Sequence, residues 1–254
     1  MRFKLLTVKL AITGKSGSGK TTLVKSFMRI FKELFPDKSI LLFDNDLTSE
    51  LGHSFGLDIR NTIYGIRSGK HEYKTGIPDD MTKQEFIEWA MEEILVPVDD
   101  NIDIIVSWLV GSKDCRCPIT KQINDAVLKL INRYDFVIFD CEFDLKYLNQ
   151  IVDTEIDTTL IVANPTEQSA HLAKRIKEFS SKYSAGSQLG VVINKVDSRN
   201  LSEVYSLLKR YDLDVLGVIP YDTELEKNSI SRDSIVVDTA LKNLYFRLNL
   251  PQGN

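Results

Sequence analysis

The sequence predicts an α/β fold of the doubly wound class, in which helices cover both faces of a mainly parallel sheet of about seven strands. Two observations predict it: apolar runs of strand length recur along the chain, and segments of helical period separate them. Strands buried on both faces show continuous rather than alternating hydrophobicity. The apolar runs lie at residues 5–13, 39–44, 102–110, 135–140, 157–163, 188–194 and 214–220.

The segments between these runs favour helices. TKQEFIEWAMEEIL begins with Thr82 and Glu85 at the spacing of a capping box. ITKQINDAVLKLI places four apolar side chains on one helical face, namely Ile119, Ile123, Val127 and Leu130. Because strands and helices alternate, we expect a ligand site at the carboxyl ends of the strands.

The bulk properties limit the classes of protein to which this chain can belong. Its 254 residues, 43% hydrophobic and 27% charged, predict one domain over residues 1–254, with a mobile insertion at about residues 45–81. A net charge of -4 argues against a nucleic-acid partner. The first apolar segment is too short to span a membrane, and no cleavage site precedes the glycine-rich stretch, so we expect a cytoplasmic protein with no membrane partner.

A phosphate-binding loop follows the first strand. GKSGSGKTT, residues 14–22, fits the P-loop NTPase pattern G-x-x-x-x-G-K-[ST] and leads into the helical segment LVKSFMRIFKEL. The glycines let backbone N–H groups turn toward a phosphate, and the helix N-terminus adds a favourable dipole. We expect Lys20 to reach the β and γ oxygens and the Thr21 hydroxyl to ligate Mg²⁺. The whole loop is expected to bind nucleotide: Gly14, Lys15, Ser16, Gly17, Ser18, Gly19, Lys20, Thr21 and Thr22.

Two aspartates close strands on the same side of the predicted sheet. Asp44 ends the second apolar run and Asp140 ends the fourth. A carboxylate in this position can hold Mg²⁺, directly or through water, and another can orient the attacking water for in-line phosphoryl transfer. We therefore expect Asp44 and Asp140 to act in slow hydrolysis together with Lys15 and Lys20, and Asp44 to meet Mg²⁺ through water.

The order N-K-x-D occurs after the sixth strand, with Asn194, Lys195 and Asp197. In GTPases an aspartate at this spacing accepts hydrogens from guanine N1 and N2, a pattern that adenine lacks. The phosphate loop favours ATP and this segment favours GTP. We expect ATP, and GTP stays the alternative.

Two of the three cysteines, Cys115 and Cys117, form a C-x-C pair after the third apolar run. In a reducing compartment a close pair of cysteines more often binds metal or takes part in redox chemistry than forms a structural disulfide. One chain supplies two thiolates, whereas a closed soft-metal site commonly has four ligands. Two copies related by a two-fold axis would complete the site, which would couple metal binding to dimerisation.

The phosphate loop resembles the deviant loop of the MinD-like ATPases, x-K-G-G-x-G-K-[ST], with Ser16 in place of the first glycine. That resemblance implies that Lys15 crosses a dimer interface to the partner's nucleotide. It also implies that Asp140 takes the Walker B position and that Asp44, in the D-x-D of Asp44 and Asp46, is the switch aspartate. Asn194 and the IPYD loop, including Pro220, Tyr221 and Asp222, would then meet the base.

Most of the chain resembles one branch of that group, the CooC-type nickel-insertion ATPases that mature carbon monoxide dehydrogenase and acetyl-CoA synthase. The resemblance covers KLAITGKSGSGKTTL, LLFDNDLTSELGHSFGLD, IPDDMTKQEFIEW, the CRC motif and LGVIPYD. It implies ATP and Mg²⁺ as cofactors, a nucleotide-dependent homodimer, Ni²⁺ or Zn²⁺ held by Cys115 and Cys117 of two subunits, and a nickel-enzyme client.

The chain departs from the family pattern after the fourth strand. The family's D-N-E-A-G is DCEFD here, residues 140–144, which removes a glycine expected beside the γ-phosphate. The third cysteine, Cys141, is expected to be a small buried residue. His53, His71 and His171 are scattered along the sequence and are expected in surface or core positions.

Three other functions stay open on the sequence alone. A MinD-like positioning or partitioning switch would use an amphipathic membrane helix, but SIVVDTALKNLYFRLNL carries few flanking cations, so we expect it to pack on the sheet. A GTP-using metal-insertion GTPase would explain the N-K-x-D order. A small-molecule kinase would explain the phosphate loop, although the sequence shows no evident arginine-rich lid.

Overall fold

Eight strands form one sheet in a computed structural model that describes residues 7–46, 48–67, 77–107, 118–142, 156–180, 188–223, 225, 234–248 and 250–251. The strand order is β3-β4-β2-β5-β1-β6-β7-β8. The strands are β1 (Val8–Gly14), β2 (Ile40–Asn45), β3 (Val96–Asp99), β4 (Ile102–Val106), β5 (Phe136–Cys141), β6 (Thr158–Ala163), β7 (Gln188–Val196) and β8 (Val215–Pro220). All neighbours pair in parallel except β3, which runs antiparallel to β4 at one edge.

The strands alternate with helices on both faces, as a parallel sheet requires. The helices are α1 (Lys20–Leu34), α2 (Glu50–Ser54), α3 (Ile63–Arg67), α4 (Lys83–Glu93), α5 (Pro118–Ile131), α6 (Glu167–Ser180), α7 (Leu201–Tyr211) and α8 (Ile235–Tyr245). Helices α1 and α8 pack on one face, where the side chains of Leu10, Leu42 and Ile138 are fully buried. Helices α3, α4 and α5 cover the other face over β2, β4 and β5, and α6 and α7 cover it over β6 and β7.

The predicted doubly wound α/β fold is confirmed, and each of the seven apolar runs contains a strand. The number of strands is corrected from seven to eight, because β3 (VPVD) is a four-residue edge strand whose half-buried and exposed side chains alternate. A short edge strand containing a proline lacks the continuous apolar run that identifies the others.

The local helix predictions also hold. The Thr82 hydroxyl accepts a hydrogen bond from the Glu85 N–H, and the Glu85 carboxylate accepts one from the Thr82 N–H, which forms the capping box at the start of α4. In α5 the side chains of Ile123, Val127 and Leu130 face the core, and the side chain of the fourth predicted residue, Ile119, lies outside the described part of the structure. Two short helices, α2 and α3, lie in the segment predicted to be a mobile insertion, and their Leu51, Ile63 and Ile66 are buried.

The C-terminal helix packs against the sheet as expected. Leu241, Leu244 and Tyr245 of α8 are buried against β8 and α1, and Arg29 of α1 pairs with Asp238 of α8 at 2.7 Å. The side of this helix that carries these three residues is therefore packed inside the domain, whereas Ile235 and Val236 in its first turn are exposed. Within the described ranges, no helix combines the length and the apolarity that a bilayer crossing requires.

Candidate functional site

The loop between β1 and α1 requires glycine at two positions. Gly14 has a φ of 147°, and a Cβ there would lie 2.2 Å from the carbonyl oxygen of Val162 on β6. Gly19 has a φ of 95°, and a Cβ there would lie 2.4 Å from Nδ2 of Asn194. Left-handed backbone costs other residues about 1–2 kcal/mol. The two glycines thus let neighbouring strands approach the loop directly.

Side chains from two neighbouring strand ends hold the carbonyls of the loop. Nδ2 of Asn194 donates to the Ser18 carbonyl at 2.8 Å, and Nζ of Lys195 donates to the Gly17 carbonyl at 3.1 Å. Nδ2 of Asn164, which follows β6, lies 3.5 Å from the same Gly17 carbonyl. In a trans peptide the N–H points opposite to the carbonyl, so the Gly19 N–H points away from Asn194.

The first turn of α1 is open to an anion. It carries no side-chain cap and no acidic residue, and Lys20 at its start is buried. The first N–H groups of a helix lack partners within it, and they carry the positive end of the helix dipole. A phosphate fits this position because it accepts several hydrogen bonds and brings negative charge.

A cleft of about 230 Å³ opens beside this loop. It brings together three segments that the sequence singled out: the phosphate loop, Asn194, and the residues after β8. Its lining is Gly17, Gly19, Lys20, Thr21, Thr22, Glu50, Asn194, Lys195, Pro220, Tyr221, Asp222, Leu225 and Val237. The predicted residues Gly14, Lys15, Ser16, Ser18, Asp44 and Asp140 are not among these lining residues.

Four lining residues were not predicted as site residues: Glu50, Lys195, Leu225 and Val237. Lys195 belongs to the N-K-x-D order, so its position was available from the sequence. Glu50, Leu225 and Val237 carry no motif and reach the cleft through α2, the segment after β8 and α8. Only the tertiary fold places them there.

The two strand-end aspartates lie side by side below the loop. Asp44 and Asp140 are register partners on β2 and β5. Each lies two residues after Leu42 or Ile138, so it is on the face of the sheet that packs against α1. The Thr21 hydroxyl at the start of α1 donates to Oδ2 of Asp140 at 2.7 Å. Oδ1 of Asp140 is buried and has no hydrogen-bond partner among the residues that the structure describes.

Burial perturbs both carboxyl groups. It raises the pKa of Asp140 to about 7, against the opposing effect of the Thr21 hydrogen bond, and the charge of Asp44 raises it further. Burial also raises the pKa of Asp44 to about 6, although the N–H groups of Asp46 and Gly52 donate to its carboxylate. A cation beside these carboxyl groups would stabilise their charged forms and offset the cost of burying them.

These donors fit Mg²⁺. The ion prefers hard oxygen ligands and usually takes one or two carboxylates along with phosphate oxygens. The Thr21 hydroxyl, Asp140 with its unpartnered Oδ1, and the nearby Asp44 supply such oxygens at the end of α1 where a phosphate fits.

Lys15 is bound within its own chain. Its Nζ donates to Oε1 of Gln168, near the start of α6, at 2.6 Å. Lys20 is oriented differently, with its Nζ 3.5 Å from the Lys15 carbonyl.

The residues after β7 and β8 are also paired. Asp197 accepts hydrogen bonds from the backbone N–H and the guanidinium of Arg199, which lowers the pKa of Asp197 to about 2. The Tyr221 N–H donates to the Val196 carbonyl at 3.0 Å. Asp222 accepts from the hydroxyl of Ser234, which in turn accepts from the Val237 N–H to cap α8.

The cysteine prediction is left untested by the structure, because Cys115 and Cys117 lie outside the described residues. Cys141 is buried among the residues that pack under α3, α4 and α5, on the face opposite Asp140. Its expected role as a small buried residue is confirmed. The described ranges contain no group of three or more His, Cys, Asp and Glu side chains arranged to hold a metal. His71 is outside them as well.

A family model matches most of the chain. The CobQ/CobB/MinD/ParA nucleotide binding domain aligns with residues 9–235. Among relatives, the "Uncharacterized ATP-binding protein MJ0823" of Methanocaldococcus jannaschii is 28% identical over 240 residues, covering 91% of this chain and 92% of that protein.

Two distant relatives match equally well. A "Putative septum site-determining protein MinD" of Emiliania huxleyi is 22% identical over 89% of this chain and 78% of its own length. The "Carbon monoxide dehydrogenase accessory protein CooC" of Rhodospirillum rubrum is also 22% identical, over 86% of each chain. The comparisons therefore support membership of the wider family and do not single out the CooC type.

Solved structures share the fold. The MinD cell division protein of Aquifex aeolicus has a TM-score of 0.67 at 19% identity, with 97% of this chain and 100% of that one covered. The septum site-determining protein MinD of Pyrococcus horikoshii, complexed with Mg-ADP, has a TM-score of 0.63 at 20% identity over 96% of both chains.

Replacement of Gly19 by alanine is expected to weaken nucleotide binding through a local collision. The new Cβ collides with Asn194, which holds the Ser18 carbonyl, so we expect affinity for a fluorescent ATP analogue to fall at least tenfold. Gly56→Ala is the matched control, because Gly56 also has a positive φ of 70° but open space around its Cβ position. The positive φ alone should cost each variant about 1–2 kcal/mol of stability, and Gly19→Ala should lose more because its Cβ also collides with Asn194. Equal losses of affinity in the two would contradict the proposed contact.

Replacement of Asp140 by asparagine is expected to stabilise the metal-free, nucleotide-free protein at high pH. The unfolded carboxyl titrates near 3.8 and the folded one near 7, so the folded state holds the extra proton between these values and stability falls as pH rises through them. Asparagine does not titrate. Urea unfolding in EDTA should show a gain of about 4 kcal/mol over wild type at pH 8, shrinking toward zero near pH 4.

Asp135→Asn, just before β5, is the control with the opposite sign. Burial favours the neutral form of Asp135, but hydrogen bonds from Lys38 and Ser39 outweigh it and lower its pKa. Its carboxylate therefore adds stability that is present above pH 4 and lost below it. The free energies of unfolding of the two variants should therefore diverge as pH rises. A pH-independent effect of Asp140→Asn on this free energy would refute the burial account.

Proposed function

This chain belongs to the CobQ/CobB/MinD/ParA nucleotide-binding family, and from that premise we propose that it is an ATP-dependent metallochaperone. ATP and Mg²⁺ close a homodimer, the dimer completes a thiolate site for Ni²⁺ or Zn²⁺ as cargo, and slow hydrolysis reopens it. The client is a nickel enzyme of the carbon monoxide dehydrogenase or acetyl-CoA synthase type. The protein acts in the cytoplasm.

One observation carries the nucleotide part of this proposal. The Thr21 hydroxyl, at the anion-binding start of α1, donates a hydrogen bond to buried Asp140, whose other carboxylate oxygen has no partner within the described part of the chain. An anion site and a pair of buried carboxylates so close together need a cation between them, and the Mg²⁺ complex of a nucleoside triphosphate supplies both the phosphate and the cation.

Each residue of the site has a distinct task in this proposal. The loop N–H groups and Lys20 bind the β- and γ-phosphates, and Thr21 with Asp140 and Asp44 holds Mg²⁺, which neutralises charge on the phosphate oxygens. Asp44 also orients the attacking water, since its carboxylate lies beside Asp140. Lys15 of each subunit binds the nucleotide of the other. Positioning and charge neutralisation of this kind suffice for slow phosphoryl transfer.

ATP is favoured over GTP by the state of Asp197. To accept the two guanine hydrogens, its carboxylate would have to give up the guanidinium and the N–H of Arg199. Asn194 and Lys195 hold the phosphate loop. Adenine needs no carboxylate at this place. The name of the relative MJ0823, an ATP-binding protein, supports the same choice.

The metal-carrying part of the proposal depends on the CRC motif and on the CooC relative. A C-x-C pair from each of two subunits gives four thiolates, the ligand set that soft metals prefer. Because the site then exists only in the dimer, nucleotide would control when the metal is held and when it is released.

A MinD-like positioning switch is the second candidate, because the MinD relative is as similar as the CooC relative. Such a switch needs an amphipathic helix free to lie on a membrane. In α8 the side chains of Leu241, Leu244 and Tyr245 are buried against β8 and α1, so this side of the helix is not free for a membrane. Nucleotide-dependent sedimentation with liposomes would favour the MinD-like switch.

Replacement of Lys15 by alanine is expected to uncouple nucleotide binding from dimerisation. Sedimentation velocity of wild type with Mg²⁺ and a non-hydrolysable ATP analogue should show a dimer. The variant should need at least tenfold more analogue, because it loses a charged contact to phosphate across the interface. Its monomer should bind the analogue within about threefold of wild type. Lys121→Ala, at an exposed lysine of α5, is the control.

Two outcomes would contradict this assignment. If Lys15→Ala dimerises at the same analogue concentration as wild type, Lys15 does not contact the nucleotide of the other subunit. Dimerisation at a lower concentration of a GTP analogue than of the ATP analogue would overturn the choice of ATP.

A double variant, Cys115→Ala with Cys117→Ala, is expected to lose metal binding. Wild type with the ATP analogue should bind about one Ni²⁺ or Zn²⁺ per dimer, as a four-thiolate site predicts, and the double variant should bind none in equilibrium dialysis. Cys141→Ala should keep the wild-type stoichiometry, because its side chain is fully buried in the core among the residues that pack under α3, α4 and α5. Equal stoichiometry in wild type and the double variant would refute the metal site.

A further inference from the structure

Lys15 donates a hydrogen bond to a residue that the phosphate-loop motif does not include. Its Nζ lies 2.6 Å from Oε1 of Gln168, the second residue of α6. The Lys15 side chain is half-buried, and Gln168 is exposed. The residue expected to act on a partner's nucleotide is thus held inside its own protomer.

The fold fixes Gln168 beside the loop. Gly14 and Val162 are register partners on β1 and β6, so the chain that continues from β6 into α6 passes directly along the phosphate loop. The turn between them is held by its own hydrogen bonds, from the Asn164 N–H to the Ser169 hydroxyl at 2.9 Å and from the Ser169 N–H to the Thr166 hydroxyl at 3.3 Å. Gln168 therefore stands on a rigid element.

The chemistry of the contact makes it reversible. The neighbouring acid, Glu167, is engaged elsewhere, with Arg210 at 3.1 Å and with the Tyr211 hydroxyl at 3.1 Å. The ammonium of Lys15 thus meets a neutral amide. A bond to an amide positions the lysine but lacks the charge attraction with which a phosphate of the partner's nucleotide would compete for it.

We propose that Gln168 is a positioning residue that holds Lys15 in its own protomer until a nucleotide-bound partner subunit draws the lysine across the interface. This proposal rests on the proposed function, in which Lys15 acts on the other subunit. The contact sets the nucleotide concentration at which the dimer closes, because each closure exchanges the amide of Gln168 for a phosphate.

Substitutions at Gln168 are expected to shift dimerisation in opposite directions. Gln168→Ala removes the competing acceptor, so half-maximal dimerisation should need about two- to fivefold less non-hydrolysable ATP analogue. Gln168→Glu replaces the amide with a carboxylate, so it should need about three- to tenfold more, and the increase should shrink at high salt. Sedimentation velocity with Mg²⁺ measures both.

Controls separate a contact through Lys15 from a general change in α6. Gln84 is the second residue of α4 as Gln168 is of α6, so Gln84→Ala and Gln84→Glu are the matched variants and should leave the midpoint unchanged. In a Lys15→Ala background the two Gln168 substitutions should have equal midpoints. Different midpoints in that background, or shifts of the same sign in wild type, would overturn the proposal.

A second measurement tests the contact without a dimer. In nucleotide-free protein, acetylation of Lys15 by acetic anhydride, followed by mass spectrometry relative to Lys121, should be faster in Gln168→Ala than in wild type and slowest in Gln168→Glu. Equal rates would refute the contact. If wild type never dimerises with nucleotide while these rates differ as expected, the proposed function fails and, with it, the control of dimerisation by Gln168, but the contact stands.

Discussion

Two buried carboxyl groups on adjacent strands are the constraint on which the candidate site depends. Asp44 and Asp140 lie across from each other on β2 and β5, fully or almost fully buried, below the start of α1. Strand alternation puts them on the same face as α1, so the Thr21 hydroxyl reaches Asp140. Burial raises the pKa of both carboxyl groups, and the charge of Asp44 raises that of Asp140 further, so a cation beside them would be favoured.

The phosphate loop lies above these carboxyl groups, and side chains from other strand ends hold it in place. Asn194, Lys195 and Asn164 donate to its carbonyls, which leaves backbone N–H groups and Lys20 for a phosphate. Lys15 is held differently, by a single amide on α6. The residues expected to bind a nucleotide within one subunit are thus fixed, whereas the residue expected to act between subunits has a contact that a phosphate can replace.

The sequence predicts those strands and loops that are determined by residues close together in the chain. Continuous apolar runs identify seven strands, and the glycine pattern locates the loop because positive φ and close approach exclude side chains there. Edge strand β3 was not predicted because it is short and its half-buried and exposed side chains alternate. Five residues near the site were not predicted because no motif marks them and their positions depend on the order of the strands and the packing of the helices: Glu50, Leu225, Val237, Asn164 and Gln168.

The linkage of magnesium to protons tests the account of the buried carboxylates most directly. Titration calorimetry of ATP binding near pH 6.5, with and without Mg²⁺ and in buffers of different ionisation enthalpy, measures the protons exchanged. Because Asp140 titrates near 7 and Asp44 near 6, Mg²⁺ should expel protons from them, beyond the release seen in Asp140→Asn. Equal release in wild type and this variant would contradict a magnesium site at these carboxylates.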